Sequence, residues 1–153
     1  MKKVLLAVDD SKGSATVIER YQEVFADNHP ESVVLLYVEK IEGRSLMDEM
    51  LGEAEMETLK EELKGTRYQE RLDRKAKAVI EYFRASLEEK GLTGVKTLVR
   101  EGHPAEEIIR AAEEEGADLI MVGSKATRRN SVLMGSVSRE VANRAGMSVL
   151  VAR

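Results

Sequence analysis

Asp118-Leu119-Ile120-Met121-Val122-Gly123-Ser124-Lys125-Ala126-Thr127-Arg128-Arg129-Asn130-Ser131-Val132-Leu133-Met134-Gly135-Ser136-Val137 is the stretch that decides the fold. It opens on a short apolar run, Leu119 to Val122, stops at Gly123, and passes through a polar, basic loop. Gly135-Ser136-Val137 then reads as the first turn of a helix. A buried strand, a loop of small residues and a helix N-terminus can make an anion site. Free N–H groups point out of the helix end, its dipole favours negative charge, and glycine lets a phosphate approach the main chain. An ordinary strand–loop–helix connection is equally compatible with this stretch alone.

The same alternation continues outward in both directions. Val4 to Val8 is a continuous apolar run, as a strand covered on both faces of a parallel sheet requires. Asp9-Asp10-Ser11 ends it, with Ser11 or Ser14 as the expected cap of a helix. That helix shows Ala15, Ile18, Tyr21 and Phe25 at helical spacing and is expected to stop at Asn28-His29-Pro30. Val33 to Val38 is a second buried strand. Tyr68, Leu72, Ala76, Val79, Ile80, Phe83 and Leu87 predict the longest helix, ended at Lys90-Gly91. Val95 to Val99 is the third strand, and Pro104 with Glu106-Glu107 suits the start of a helix ended by Gly116. Gly135 to Ala145 is the last helix, with Val137, Val141 and Ala145 inward, and Ser148 to Val151 the fifth strand. This order predicts one α/β domain over residues 1–153, a doubly wound parallel sheet of Rossmann-like type. A charged, partly helical insertion at about 39–65 interrupts it. That insertion reads either as a surface excursion or as a lid or partner surface built on methionines.

Composition narrows the chemistry. There is no Cys, so neither a disulfide nor a thiolate metal site is available. The net charge of −4 argues against a general nucleic-acid binder. No apolar run reaches the length of a membrane span. The N-terminal run breaks at Asp9-Asp10, too soon for a secretory signal, and a cytoplasmic protein is expected. The two His are scattered, and neither a Gly-x-Ser-x-Gly elbow nor a P-loop is present, so no constellation for nucleophilic catalysis stands out.

Taken together, several pieces of this sequence resemble the universal stress protein family over essentially the full length. They are Leu5-Leu6-Ala7-Val8-Asp9-Asp10-Ser11, Leu35-Leu36-Tyr37-Val38, Gly102-His103-Pro104-Ala105-Glu106-Glu107-Ile108, Ala117 to Ser124, Gly135-Ser136-Val137 and Ser148 to Val151. The resemblance implies a five-stranded sheet ordered 3-2-1-4-5, of the adenine nucleotide alpha hydrolase-like type, and a homodimer through the C-terminal strand. Members that bind ATP carry Gly-x-x-Gly, about nine residues, then Gly-Ser or Gly-Thr. Gly123 and Gly135-Ser136 match; Ala126 stands in the place of the second glycine, and the spacer is one residue shorter.

Carried over by position, the resemblance implies that Ala7 and Asp9 line an adenosine pocket and Val38 meets the adenine edge. Gly123 would lie along ribose and phosphate, followed by Ala126. Gly135, Ser136 and Val137 would offer N–H groups to the phosphates. Lys125, Arg128 and Arg129 are either phosphate contacts or a solvated basic loop. Asp9 is either a loop carboxylate or a ligand to Mg or Mn held by the nucleotide. His103 reads as a helix-start residue. Three functions follow: an ATP-binding stress-response protein with at most slow hydrolysis, a nucleotide-free dimeric interaction module, and an ATP-using enzyme of the same fold. The last lacks the Ser-Gly-Gly-type loop that such enzymes carry after the first strand; Asp9-Asp10-Ser11-Lys12-Gly13 stands there.

Overall fold

A computed structural model of the chain describes residues 1–39, 67–124 and 134–153. The insertion at about 39–65 lies almost wholly outside these residues, as do Lys125, Ala126, Arg128 and Arg129. The described elements alternate: β1 (Lys3–Val8), α1 (Lys12–Val24), β2 (Ser32–Glu39), α2 (Arg67–Glu89), β3 (Lys96–Glu101), α3 (Pro104–Glu115), β4 (Leu119–Gly123), α4 (Ser136–Arg144) and β5 (Ser148–Ala152). The sheet is five-stranded and parallel in the order β3-β2-β1-β4-β5, as expected.

The continuous apolar runs have a direct cause, because successive side chains of a strand point to opposite faces and both faces are covered. Val4, Leu6 and Val8, with Val33, Leu35 and Tyr37, pack under α1 and α2. Leu5, Val34 and Leu36, with Ile120 and Val122, pack under α3 and α4. β1 lies between β2 and β4, pairing Leu5 with Val34 on one side and with Ile120 on the other. The order therefore reverses at β1 and β4, and a crevice opens there at the carboxyl ends of the strands.

Two expectations for α1 need correction. Ala15 is exposed, and the inward stripe is Ser14, Val17, Ile18 and Tyr21, closed by Phe25. The helix also ends earlier than Asn28, since Val24 is its last residue and the Phe25 N–H bonds to the Tyr21 carbonyl. The third strand is also displaced from the expected Val95–Val99, running from Lys96 to Glu101, whereas the punctuation of α3 works as read. Pro104 opens α3, and Gly116 closes it at φ 67°, a left-handed cap that a side chain would strain.

The amino ends of the two central strands are tied by one carboxylate. Asp118 Oδ2 accepts the N–H groups of Lys2 and Lys3, each at 2.9 Å, while the Asp118 N–H donates to the Lys3 carbonyl at 2.8 Å. The Lys3 and then the Lys2 backbone bonds hold the Asp118 carboxyl below its ordinary value. A group whose folded pKa is depressed stabilises the fold above its unfolded value, near ~3.9, and loses that contribution as pH falls through the folded value. Asp118→Asn should melt below the wild type at neutral pH, with the gap closing as both are acidified below pH ~4. Melting curves across that window, with a gap independent of pH, would exclude the clamp as a charge-assisted one.

Candidate functional site

The chain leaves β1 through a turn built around one carboxylate. Asp9 Oδ1 accepts the Ser11 N–H at 2.8 Å, the Ser14 hydroxyl at 2.9 Å and the Ser11 hydroxyl. The Asp9 N–H returns to the Ser14 oxygen at 2.7 Å. Ser14 is buried because this exchange satisfies its hydroxyl, which is how a polar residue comes to face the core. Ser11 occupies the N-cap of α1, but its hydroxyl serves Asp9 and makes no cap bond.

β4 ends directly beside that turn. A Cβ on Gly123 would lie 2.7 Å from the Gly13 carbonyl oxygen and 2.9 Å from its carbon, closer than real side chains come. Glycine at this position is thus required by packing between β4 and the first turn of α1, whatever else passes over it. The reverse contact is ordinary, since a Cβ on Gly13 would meet nothing nearer than 3.6 Å.

α4 supplies the opposite wall. Gly135 is its N-cap with extended backbone and no capping side chain, so the first-turn N–H groups face outward without an internal acceptor from that position. The Ser138 hydroxyl donates to the Gly135 carbonyl at 3.0 Å, and the Arg139 guanidinium to the Met134 carbonyl at 3.2 Å. Both bonds fix the entry into the helix.

A cavity of about 680 Å³ lies between these pieces. Ala7, Asp9, Val38, Gly123, Gly135, Ser136 and Val137 all line it, so the structure brings together every site residue read from the sequence that it describes. Leu36 and Ile108 add apolar wall. Sequence reasoning missed Lys75 and Arg139, which also line it. Arg139 had a readable signal, lying one turn along the helix from Ser136. Lys75 had none: it arrives from α2, and its ammonium pairs with Asp10 at 2.6 Å. Burial first, and then the charge of Asp10, push the Tyr37 phenol above its ordinary value, with Lys75 opposing. His103 is the N-cap of α3, as read, and faces Glu140 at 3.8 Å. Outside the cavity, carboxylate oxygens of Glu39, which is buried, and of Asp73 and Glu101 come within 4.8 Å of one another, a spacing that suits a cation. No described helix is long and apolar enough to cross a membrane.

An α/β domain with its cleft at the point where strand order reverses belongs to the class that binds ligands outside the carboxyl ends of its strands. The chain belongs to the universal stress protein family, whose model matches residues 1–153. It is 32% identical over 156 aligned positions to a universal stress protein of Methanocaldococcus jannaschii, covering 99% of this chain and 94% of that one. The solved structure of the same archaeal protein superposes with a TM-score of 0.75 at 30% identity, over 99% of this chain and 94% of the other. A family protein from Arabidopsis thaliana, solved with AMP bound, matches at a TM-score of 0.66 and 19% identity, covering 99% and 90%. The Archaeoglobus fulgidus universal stress protein, solved with dAMP, matches at 0.61 and 16%, covering 100% and 98%. These last two share the fold.

The Gly123–Gly13 contact makes a paired prediction. Gly123→Ala should destabilise the fold by about 1–3 kcal/mol, because backbone must move to admit the methyl. Gly13→Ala should be neutral or stabilise by up to ~1 kcal/mol, since it adds an alanine to a helix. Urea unfolding of both variants measures the contrast, and equal effects would remove the packing argument.

Proposed function

We propose that the cleft binds an adenine nucleotide, ATP or a close relative, and that the protein works as a nucleotide-binding stress-response protein and not as a fast enzyme. One observation carries the reading: the N-terminus of α4, with Gly135 as an N-cap that offers no capping side chain, lines the same cavity as the apolar Ala7, Leu36 and Val38. Such a site offers a base an apolar wall and a phosphate a set of N–H donors. The cavity volume is in the range of small-molecule sites. Relatives solved with AMP and dAMP support the same ligand class. Asp9 is the lining carboxylate offered to a divalent ion, and Mg or Mn there would neutralise phosphate charge. The basic residues Lys125, Arg128 and Arg129 are assigned to the phosphates in this reading, and Ala126 replaces a glycine whose loss weakens binding.

Protein purified without added nucleotide, denatured and analysed by mass spectrometry, should release adenine nucleotide. Titration calorimetry should give micromolar or weaker ATP binding that falls with salt. Gly135→Val should abolish it with circular dichroism unchanged, because a branched side chain closes the helix end; Ala126→Gly should match or improve on the wild type. No heat at millimolar ATP, with none restored by Ala126→Gly, would instead favour the nucleotide-free interaction module.

The partner in this reading is a second copy of the chain. β5 is a sheet edge, and Val149, Leu150 and Val151 on it are only partly buried. An open apolar edge invites pairing. Sedimentation at micromolar concentration should show a dimer that Leu150→Lys converts to a folded monomer; a wild type that sediments only as monomer removes this assembly.

A further inference from the structure

Two carboxylates, Asp9 and Asp10, follow β1 and line the cavity. Both oppose an anionic ligand. Lys75 approaches from α2, which packs on the far side of the sheet from α3 and α4. Its direction is set by the buried residue beside it, Ala76, which is 1% exposed, and by Ile80 one turn on. The Lys75 ammonium reaches around the end of the sheet to Asp10, 2.6 Å away, and also lines the cavity. Among the described lining residues the charged groups are these two carboxylates and the cations Lys75 and Arg139. Arg139 serves the α4 end, where its guanidinium holds the Met134 carbonyl. Lys75 is therefore the described lining cation beside the turn that follows β1.

We propose that Lys75 is a positioning residue for the nucleotide: by holding Asp10 it withdraws one negative charge from the ligand's path, and so sets how much phosphate charge the cleft accepts. The inference rests on the nucleotide reading above. It adds that a residue on α2 tunes selectivity among adenosine, its monophosphate and its triphosphate without touching them. Both partners of the pair are about half exposed, with side-chain exposures of 51% and 56%, so solvent moderates the effect and salt screens it.

The test is calorimetry in metal-free, low-salt buffer with adenosine, AMP and ATP on the wild type, Lys75→Met, Lys75→Arg and the double variant Asp10→Asn with Lys75→Met. Lys75→Met should leave adenosine affinity unchanged, weaken AMP about twofold and weaken ATP roughly threefold to tenfold, a loss that shrinks in ~0.5 M salt. Lys75→Arg should bind like the wild type. The double variant, which removes the charge along with its partner, should recover ATP affinity to within about twofold of the wild type. Three results overturn the proposal: a Lys75→Met protein that binds ATP like the wild type, a double variant that stays weak, or an equal loss for adenosine, which marks a merely structural role. A wild type that takes none of the three ligands removes the nucleotide reading and this inference with it. A wild type that binds ATP, matched by Lys75→Met, removes this inference alone.

Discussion

Gly123 lies so close to the carbonyl of Gly13 that no other residue fits between them without moving backbone. The contact fixes how near the end of β4 comes to the first turn of α1. The turn after β1 and the chain leaving β4 are the two sides of one crevice, and α4 closes it. If β4 and α1 stood farther apart, the Asp9 turn would lose its neighbour and the cavity would open toward the sheet. The glycine is thus a spacing element first. That role holds irrespective of the ligand above it.

The two ends of the sheet are built by opposite rules. At the amino ends Asp118 gathers three backbone partners from β1 and the residue before it, and the ends are drawn shut. At the carboxyl ends the polar groups are spent on shaping a turn and on positioning a helix entry, and a cavity remains. The apolar middle, with Leu5, Leu6, Leu35, Leu36 and Ile120 fully buried, insulates one end from the other. Burial of such side chains, at roughly 1.5–3 kcal/mol each, holds the frame and lets the cleft end be polar.

The strands were legible because burial on both faces leaves no room for polar alternation, so Val4 to Val8 and Val33 to Val38 announce themselves. The strand order came from the family resemblance, since periodicity does not say which strand lies beside which. Ala15 misled because a methyl side chain is nearly indifferent to which face it occupies, whereas Ser14 reads as polar and is buried by virtue of its bond to Asp9. The early end of α1 had no stop residue to mark it; Phe25 closes the helix through its backbone. Most of the cavity wall was readable because strand ends and helix starts carry local signatures. Lys75 was not, because its partner Asp10 sits on a distant stretch of chain and only the packing of α2 brings them together.

The Asp9 hub has a thermodynamic side. Its carboxylate, two serine hydroxyls and two N–H groups lock the turn from Asp9 to Ser14 by contacts internal to the chain. A loop ordered in this way surrenders its conformational freedom during folding. This part of the crevice wall is then ordered by the chain's own contacts, and the entropy that a floppy turn would forfeit on association is not drawn from it. Contacts made to this turn are not consumed in ordering it.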